Sequence, residues 1–419
     1  MQEAKDLKTY REECHESLDN DYLRTALDKF AIAYKDSRGK AFADFEVETL
    51  IDEIAGMKDD VLVNLDELYE EFKKNAEAGG ITVHYAKDAD EANKIILDIA
   101  RQNDCKRVAK SKSMTAEETL LNHELEDEGF EVTETDLGEW IIQLRHEGPS
   151  HMVMPAIHLS RYQVKDLFSD VTGAQQEEDI EKLVKVARRE LRQKFVEADM
   201  GVTGANFAVA QTGSIGIVTN EGNARLCTTL PRVHVALMGI DKLVPTIGDA
   251  LKTLKVLTRN ATAQPITSYV TWVTGSNECD APPDKKKDVH YVMLDNGRRE
   301  MAKDPLFSQV FRCVRCGACA NVCPVYRLVG GHKMGHIYIG AIGLILTYFF
   351  HGPDKAKNLV QNCINCEACK DICAGGIDLP RLIKAVHTRI QDEQGHPLPS
   401  LLLGKILRNR KLFHTLLRL

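Results

Sequence analysis

The stretch Cys313-Val314-Arg315-Cys316-Gly317-Ala318-Cys319-Ala320-Asn321-Val322-Cys323-Pro324 is echoed by Cys363-Ile364-Asn365-Cys366-Glu367-Ala368-Cys369-Lys370-Asp371-Ile372-Cys373. In each copy three thiols follow at three-residue intervals and a fourth comes four residues later. That cadence suits a pair of [4Fe-4S] cubanes: three closely spaced thiolates wrap one cluster, and the fourth reaches across to the other. Applied here, one cluster takes Cys313, Cys316, Cys319 and Cys373, and the second takes Cys363, Cys366, Cys369 and Cys323. Gly317, Ala318 and Ala368 are small enough to let the chain curl and aim N–H groups at sulfur. The competing reading is two zinc sites of four thiolates each. Zinc sites use two Cys-x2-Cys pairs divided by a loop, and that is not the pattern here.

Between the motifs lie 39 residues, 324–362, holding the apolar run Ile337 to Phe350. A membrane-spanning helix needs roughly 18–20 apolar residues. This run is shorter and contains Gly340 and Gly343, so it reads as a helix buried beside the clusters. A helical cluster domain over 298–385 is therefore expected, with Gly375, Gly376 and Pro380 marking the exit from the second motif. Residues 386–419 form a tail whose leucines alternate with Lys405, Arg408, Arg410, Lys411 and Arg418. A basic amphipathic helix of this kind suits peripheral contact with an anionic membrane surface, or docking on a partner subunit.

The 419 residues allow two or three domains, and a net charge of -8 argues against a general nucleic-acid binder. The N-terminus MQEAKDLKTYREE is charged and lacks the apolar core of a secretory signal. A cytoplasmic protein with reduced thiols is the expectation, peripheral at the inner face of the membrane if the tail binds there. Cys14, Cys105, Cys227 and Cys279 stand alone and read as buried or incidental thiols.

Residues 1–75 carry apolar positions at helical spacing, such as Tyr22, Leu23, Leu27 and Phe30, then Val61, Leu65, Leu68 and Phe72, and predict a helical extension. From residue 76 to 297 the texture becomes α/β. Strand-like runs at Ile81–Tyr85, Arg107–Ala109 and Glu131–Thr135 alternate with helices at Ala89–Arg101 and Thr115–Glu128, predicting βαβ units on a mainly parallel sheet. Thr115 and Glu118 fit a capping box, which makes Lys110–Ser113 a strand-to-helix loop at the sheet edge where ligands sit. A helix at Glu177–Ala198 and strands at Ala205–Ala210, Ile215–Thr219 and Val233–Met238 follow, with His234 read as a core histidine. The charged stretch Asn296–Asp304 reads as a connector.

Small and hydroxyl residues gather at strand ends: Gly201, Thr203, Gly204 and Asn206, then Thr212, Gly213 and Ser214, then Asn220, Gly222, Asn223 and Arg225. Their backbone N–H groups can cradle an anion. Turn chemistry alone explains the same residues, and neither a G-x-G-x-x-G fingerprint nor a P-loop supports a nucleotide. Glu221, between Asn220 and Gly222, offers an exposed carboxylate suited to a base or nucleophile, or a solvated turn residue.

The runs Ser111–Glu118, Glu134–Glu139, Pro155–His158, Thr203–Phe207, Thr219–Arg225 and Leu230–His234 resemble the LUD-domain family. With two cluster motifs behind them, the chain from about residue 60 to 410 is similar to the iron-sulfur subunits of bacterial L-lactate utilisation complexes. The resemblance implies an α/β LUD domain akin to the sugar-phosphate isomerase and CoA-transferase group, followed by a two-cluster ferredoxin-type domain. It implies oxidation of L-lactate to pyruvate alongside a cysteine-rich electron-transfer subunit and a second LUD-domain protein; on the electron-transfer reading a partner, or a flavin it holds, takes the electrons from the hydroxy acid. In CoA transferases of that group a strand-end glutamate beside glycine is the nucleophile, which adds interest to Glu221. This chain departs from the family in carrying Gly340-Ala341 where a glycine-proline pair is usual, and in a shorter segment after the second motif.

Overall fold

The computed structural model describes residues 6–276, 286–395 and 398–417; Cys279 and Arg418 lie outside them. In chain order the strands are β1 (Thr82–Ala86), β2 (Arg107–Lys110), β3 (Glu131–Glu134), β4 (Met200–Thr203), β5 (Phe207–Val209), β6 (Ser214–Thr219), β7 (Val233–Gly239), β8 (Leu243–Val244), β9 (Tyr269–Val273) and β10 (Asp288–Leu294). Six of them make one sheet in the order β1-β10-β7-β4-β2-β3, every pair parallel. Parallel neighbours need crossovers, so helices such as Ala89–Gln102 and Ile180–Glu197 cover the faces. The central strand β7 is buried at every position and β10 at all but its first, as apolar strands covered on both faces must be.

A second, four-stranded sheet, β8-β5-β6-β9, is mixed, its β5–β6 hairpin closing at the expected turn. Because the strands of the large sheet all run one way, the carboxyl ends of β2, β3 and β4 share an edge. Lys110, Glu134 and Thr203 close those three strands.

The N-terminal helices Leu7–Asp19, Asp21–Ala41, Val47–Val63 and Leu65–Ala78 bury Leu27, Tyr34, Ile54 and Phe72. They reach far along the chain. Tyr10 donates to the Lys333 carbonyl at 2.6 Å, Tyr34 to the Asn260 carbonyl at 2.6 Å, and Arg312 grips Asp59 with two bonds of 2.7 Å. One hydrophobic core runs without a break from Phe72 through Met238 and Tyr291 to Phe307, Leu344 and Leu382.

In the C-terminal region the short helices Ala318–Asn321, Pro324–Val329 and Ala368–Asp371 sit within the cysteine motifs, and Gly340–His351 and Leu379–Gln394 pack around them. The apolar run is thus a buried helix, and among the described residues no helix is long and apolar enough to cross a membrane. The tail forms two helices, Leu398–Arg408 and Arg410–Leu416, divided at Asn409, whose side chain caps the second.

Three local readings are corrected. The helix expected over Thr115–Glu128 is two, Met114–Glu118 and Leu121–Asp127, broken where Leu120 takes φ +56°. Its cap is Ser113, which accepts from the Ala116 N–H at 3.2 Å, while Glu118 turns inward to Arg298. The charged connector is the helix Arg298–Lys303, and Arg298 is among the most buried side chains in the molecule.

Candidate cluster sites and the sheet edge

A recess with about 340 Å³ of free space, part of it open to solvent, is lined by Cys313, Cys316 and Cys319 from the first motif and Cys373 from the second. Gly317, Ile342, Ala374 and Gly375 complete much of its wall. Backbone N–H groups converge on the sulfurs. Arg315 donates to Cys313 at 3.4 Å, and Ala318, Ile342 and Ile377 face Cys316, Cys319 and Cys373. Ile342 stands in the first turn of the helix Gly340–His351, whose orphan N–H groups point at the recess. Gly340 permits that approach: its φ is +73°, and a Cβ there would lie 3.0 Å from the Ala320 backbone.

The second set is Cys323, Cys363, Cys366 and Cys369. The Cys323 sulfur has Cys363 and Cys366 as neighbours, and Cys369 has all three. Val325 and Tyr326, at the start of their helix, direct N–H groups at Cys323. The two loops have the same backbone. Arg315 and Asn365 take φ +59° and +57°, and Gly317 and Glu367 take +78° and +66°. Their settings differ, since Cys316 and Cys319 are buried whereas Cys366 is exposed.

Burial pushes the Cys316 thiol up to about 12 and Cys373 up to about 11, so both would keep their protons until a cationic group displaces them. Among the described residues no three Cys, His, Asp or Glu side chains converge tightly enough for a single ion. Four thiols around a cavity, each met by backbone N–H groups, fit the corners of an iron-sulfur cube better than tetrahedral zinc.

Beside the first recess lies a buried ionic network. Arg298 donates through both Nη atoms to Glu118, at 2.8 and 2.7 Å, and through Nε to Asp241 at 2.6 Å. Tyr338 donates to Glu118 at 2.8 Å, and Arg315 Nη2 lies 3.2 Å from the other Asp241 oxygen. Burial alone would raise both carboxyls; Arg298, joined by Asn296 and Tyr338 at Glu118 and by Arg315 and Lys242 at Asp241, holds both below the usual carboxylate range.

At the carboxyl edge of the large sheet, the buried Lys110 ammonium sits 2.7 Å from Glu117 and 2.6 Å from Glu134. Lys112 pairs with buried Glu139 at 3.1 Å. Burial, with Glu117 and Glu139 nearby, pushes Glu134 up to about 7 despite Lys110. Glu221 stands at the rim, accepting from the Leu137 N–H at 3.3 Å. Its side chain is exposed, yet partial desolvation and the Asp136 carboxylate push it up to about 7.

Residues 69–294, more than half of the chain, match the LUD domain, and residues 309–377 match the 4Fe-4S dicluster domain. An uncharacterized electron transport protein, YkgF, of Escherichia coli is 42% identical over 345 residues, covering 82% of this chain and 72% of that protein. Proteins named lactate utilization protein B from Bacillus velezensis and Bacillus subtilis are each 40% identical, over 391 and 394 residues, covering 92% of this chain and 81% of theirs. The chain belongs to the LUD family, in the lactate utilization protein B group.

Within this LUD domain the residues singled out at strand ends part company. Gly204 abuts Ser113 of the edge loop, Thr203 lies 2.9 Å from His234 Nε2, and Glu221, Gly222 and Asn223 lead into the helix Asn223–Thr229. Gly201 is where that helix crosses the sheet, since a Cβ there would lie 1.9 Å from the Cys227 carbonyl. Asn206 instead closes the β5–β6 hairpin, accepting from Val218 N at 2.8 Å. Thr212 caps Ser214 N, Gly213 packs on the Ala76 backbone, and Ser214 bonds Thr274 at 2.6 Å, all within a structural turn. Asn220 ties Ser268 and Gln264, and Arg225 stacks 4.8 Å from the Tyr269 ring. The Lys110–Ser113 loop was singled out as a ligand edge, but the carboxylates it meets were not: Glu134 closes β3, while Glu117 and Glu139 lie on the helices Met114–Glu118 and Leu137–Leu144.

Proposed function

We propose that this chain is an electron-transfer iron-sulfur subunit that holds two [4Fe-4S] clusters, one in each recess, and serves the oxidation of L-lactate or a related 2-hydroxy acid to pyruvate. The observation that carries it is Cys373 of the second motif standing in the wall of the first motif's recess, the crossover that a two-cluster carrier requires. Cys313, Cys316, Cys319 and Cys373 would hold one cluster and Cys363, Cys366, Cys369 and Cys323 the other. When bound, each supplies storage for one electron at a potential set by its surroundings. The protein supplies thiolates, N–H donors to sulfur and a dry wall, and Cys319 and Cys369 stand within electrostatic reach of each other across the two sites.

The substrate class comes from the relatives' name. Oxidation of the hydroxy acid belongs to a partner, a cysteine-rich subunit or a second LUD-domain protein, with a flavin as the two-electron acceptor. Peripheral membrane contact would go through the tail, where Leu402, Leu403 and Leu407 are exposed beside Lys405 and Arg408. The test is anaerobic purification with co-eluting partners, followed by visible and EPR spectra after adding L-lactate. Lactate-dependent bleaching of the visible cluster absorption is expected; clusters reducible by dithionite but inert to lactate in the assembled complex would reject the substrate.

A second reading is favoured by Lys112, Glu221 and Asp136 meeting at the sheet edge, the place where α/β sheets bind ligands. There an organic or phosphorylated anion would bind, Glu221 acting as base or nucleophile. Saturable binding weakened by Glu221→Gln or Arg225→Ala supports it; no binding of lactate, pyruvate or CoA esters removes it.

A further inference from the structure

The two recesses share a backbone but not a charge environment. In the first loop the residue after Val314 is Arg315; its counterpart in the second is the neutral Asn365. The Arg315 side chain is only 8% exposed, turned inward over the Tyr338 ring at 4.9 Å. Its Nη2 is clamped 3.2 Å from Asp241, while Nη1 is buried without a hydrogen-bond partner. Its own backbone N–H donates to the Cys313 sulfur at 3.4 Å. A buried guanidinium with an unbonded N–H beside a neutral thiol is poorly satisfied unless the recess holds negative charge.

The buried charges do not cancel. Arg298, Arg315, Lys58, which donates to the Asp241 carbonyl at 2.8 Å, and Lys242 beside Asp241 give four cations against the two anions Glu118 and Asp241. Two positive charges remain over, next to a recess in which Cys316 and Cys319 are buried. The second recess has an exposed thiol in Cys366 and a cation, Lys384, beside Cys363. Water and dissolved ions can stabilise added charge there; they cannot do so around Cys316 and Cys319.

We propose that Arg315, clamped by Asp241, is the built-in counter-charge that keeps the first recess reducible, taking the place that solvent holds at the second. This rests on the reading that each recess holds a [4Fe-4S] group. Arg315 is a positioning residue for charge, not a ligand.

The test is an EPR-monitored dithionite titration of the anaerobically loaded full chain and its Arg315→Gln and Arg315→Lys variants, with iron and sulfide counted first. Arg315→Gln should lower one midpoint by at least a tenfold change in the reduction equilibrium, 59 mV for a one-electron couple, and leave the other in place. Arg315→Lys, which keeps the cation, should restore most of it. In the wild-type protein, raising ionic strength should move only the midpoint that Arg315 does not control, a check that needs no variant to fold. Equal shifts of both midpoints, no shift in Arg315→Gln, or salt dependence of both would overturn the proposal. A wild-type chain that takes up no cluster would remove the underlying reading, and the proposal with it.

Discussion

The two cysteine loops trace the same left-handed turns at the same offsets, yet one is walled in by the LUD domain and the N-terminal helices while the other faces solvent at Cys366. A local motif dictates where thiols point. The surroundings dictate what those thiols can do, because the buried loop must find its counter-charges within the protein and the exposed one can take them from water.

The largest effects should come from breaking the crossover. Cys373→Ser should empty the recess of the first motif, and Cys323→Ser that of the second, each roughly halving iron content. Loss within the variant's own motif, read by which EPR signal survives in combination with Arg315→Gln, would uncross the assignment.

Next is the ionic network behind the buried loop. Arg298→Met leaves Glu118 and Asp241 buried without their main cation and should cost about 3–5 kcal/mol in urea unfolding. Arg312→Met, whose partner Asp59 is half-exposed, should cost at most about 1 kcal/mol.

His151, which lies against Gly317 of the buried loop, should make stability pH-dependent. Its Nδ1 accepts from Val153 and Met154 N–H at 3.0 and 3.2 Å, so Nε2–H donates to Asn321 at 2.7 Å and the ring is neutral. Burial lowers it to about 4. A depressed histidine contributes stability above its unfolded value of about 6.5, lost as pH falls from there toward 4, up to about 3 kcal/mol. Unfolding midpoints measured over that range should be flatter in His151→Gln.

The smallest effects sharpen the comparison of loops directly. Gly317→Ala, at φ +78°, should destabilise by about 1 kcal/mol. Glu367→Gly, at φ +66° in the exposed loop, should stabilise by up to about 1 kcal/mol. Paired thermal melts of the two variants would show whether the loops carry equal strain.

The parallel sheet was legible because alternating strands and helices are a local texture, and β7 and the helix Ala89–Gln102 appear where their apolar periodicity places them. The cysteine cadence is local too. What escaped is non-local: Glu118 fits a capping box with its neighbours, but its partner Arg298 lies 180 residues on. For the same reason a charged stretch read as a connector is a helix that buries Arg298 and Met301, and Lys110, which looks like a loop cation, is enclosed between Glu117 and Glu134. The turn at Thr212–Ser214 was legible as such, whereas Gly201 and Thr203 lie within β4 and Asn223 and Arg225 within a helix; which of them reach the sheet edge depends on the topology.

The most direct test of the account is iron, sulfide and zinc analysis with Mössbauer spectra of the full chain purified without oxygen. Two cubes per chain predict about eight irons and eight sulfides, no zinc, and a spectrum of [4Fe-4S] centres alone. Stoichiometric zinc, or iron that stops at one cube with all eight cysteines intact, would contradict it.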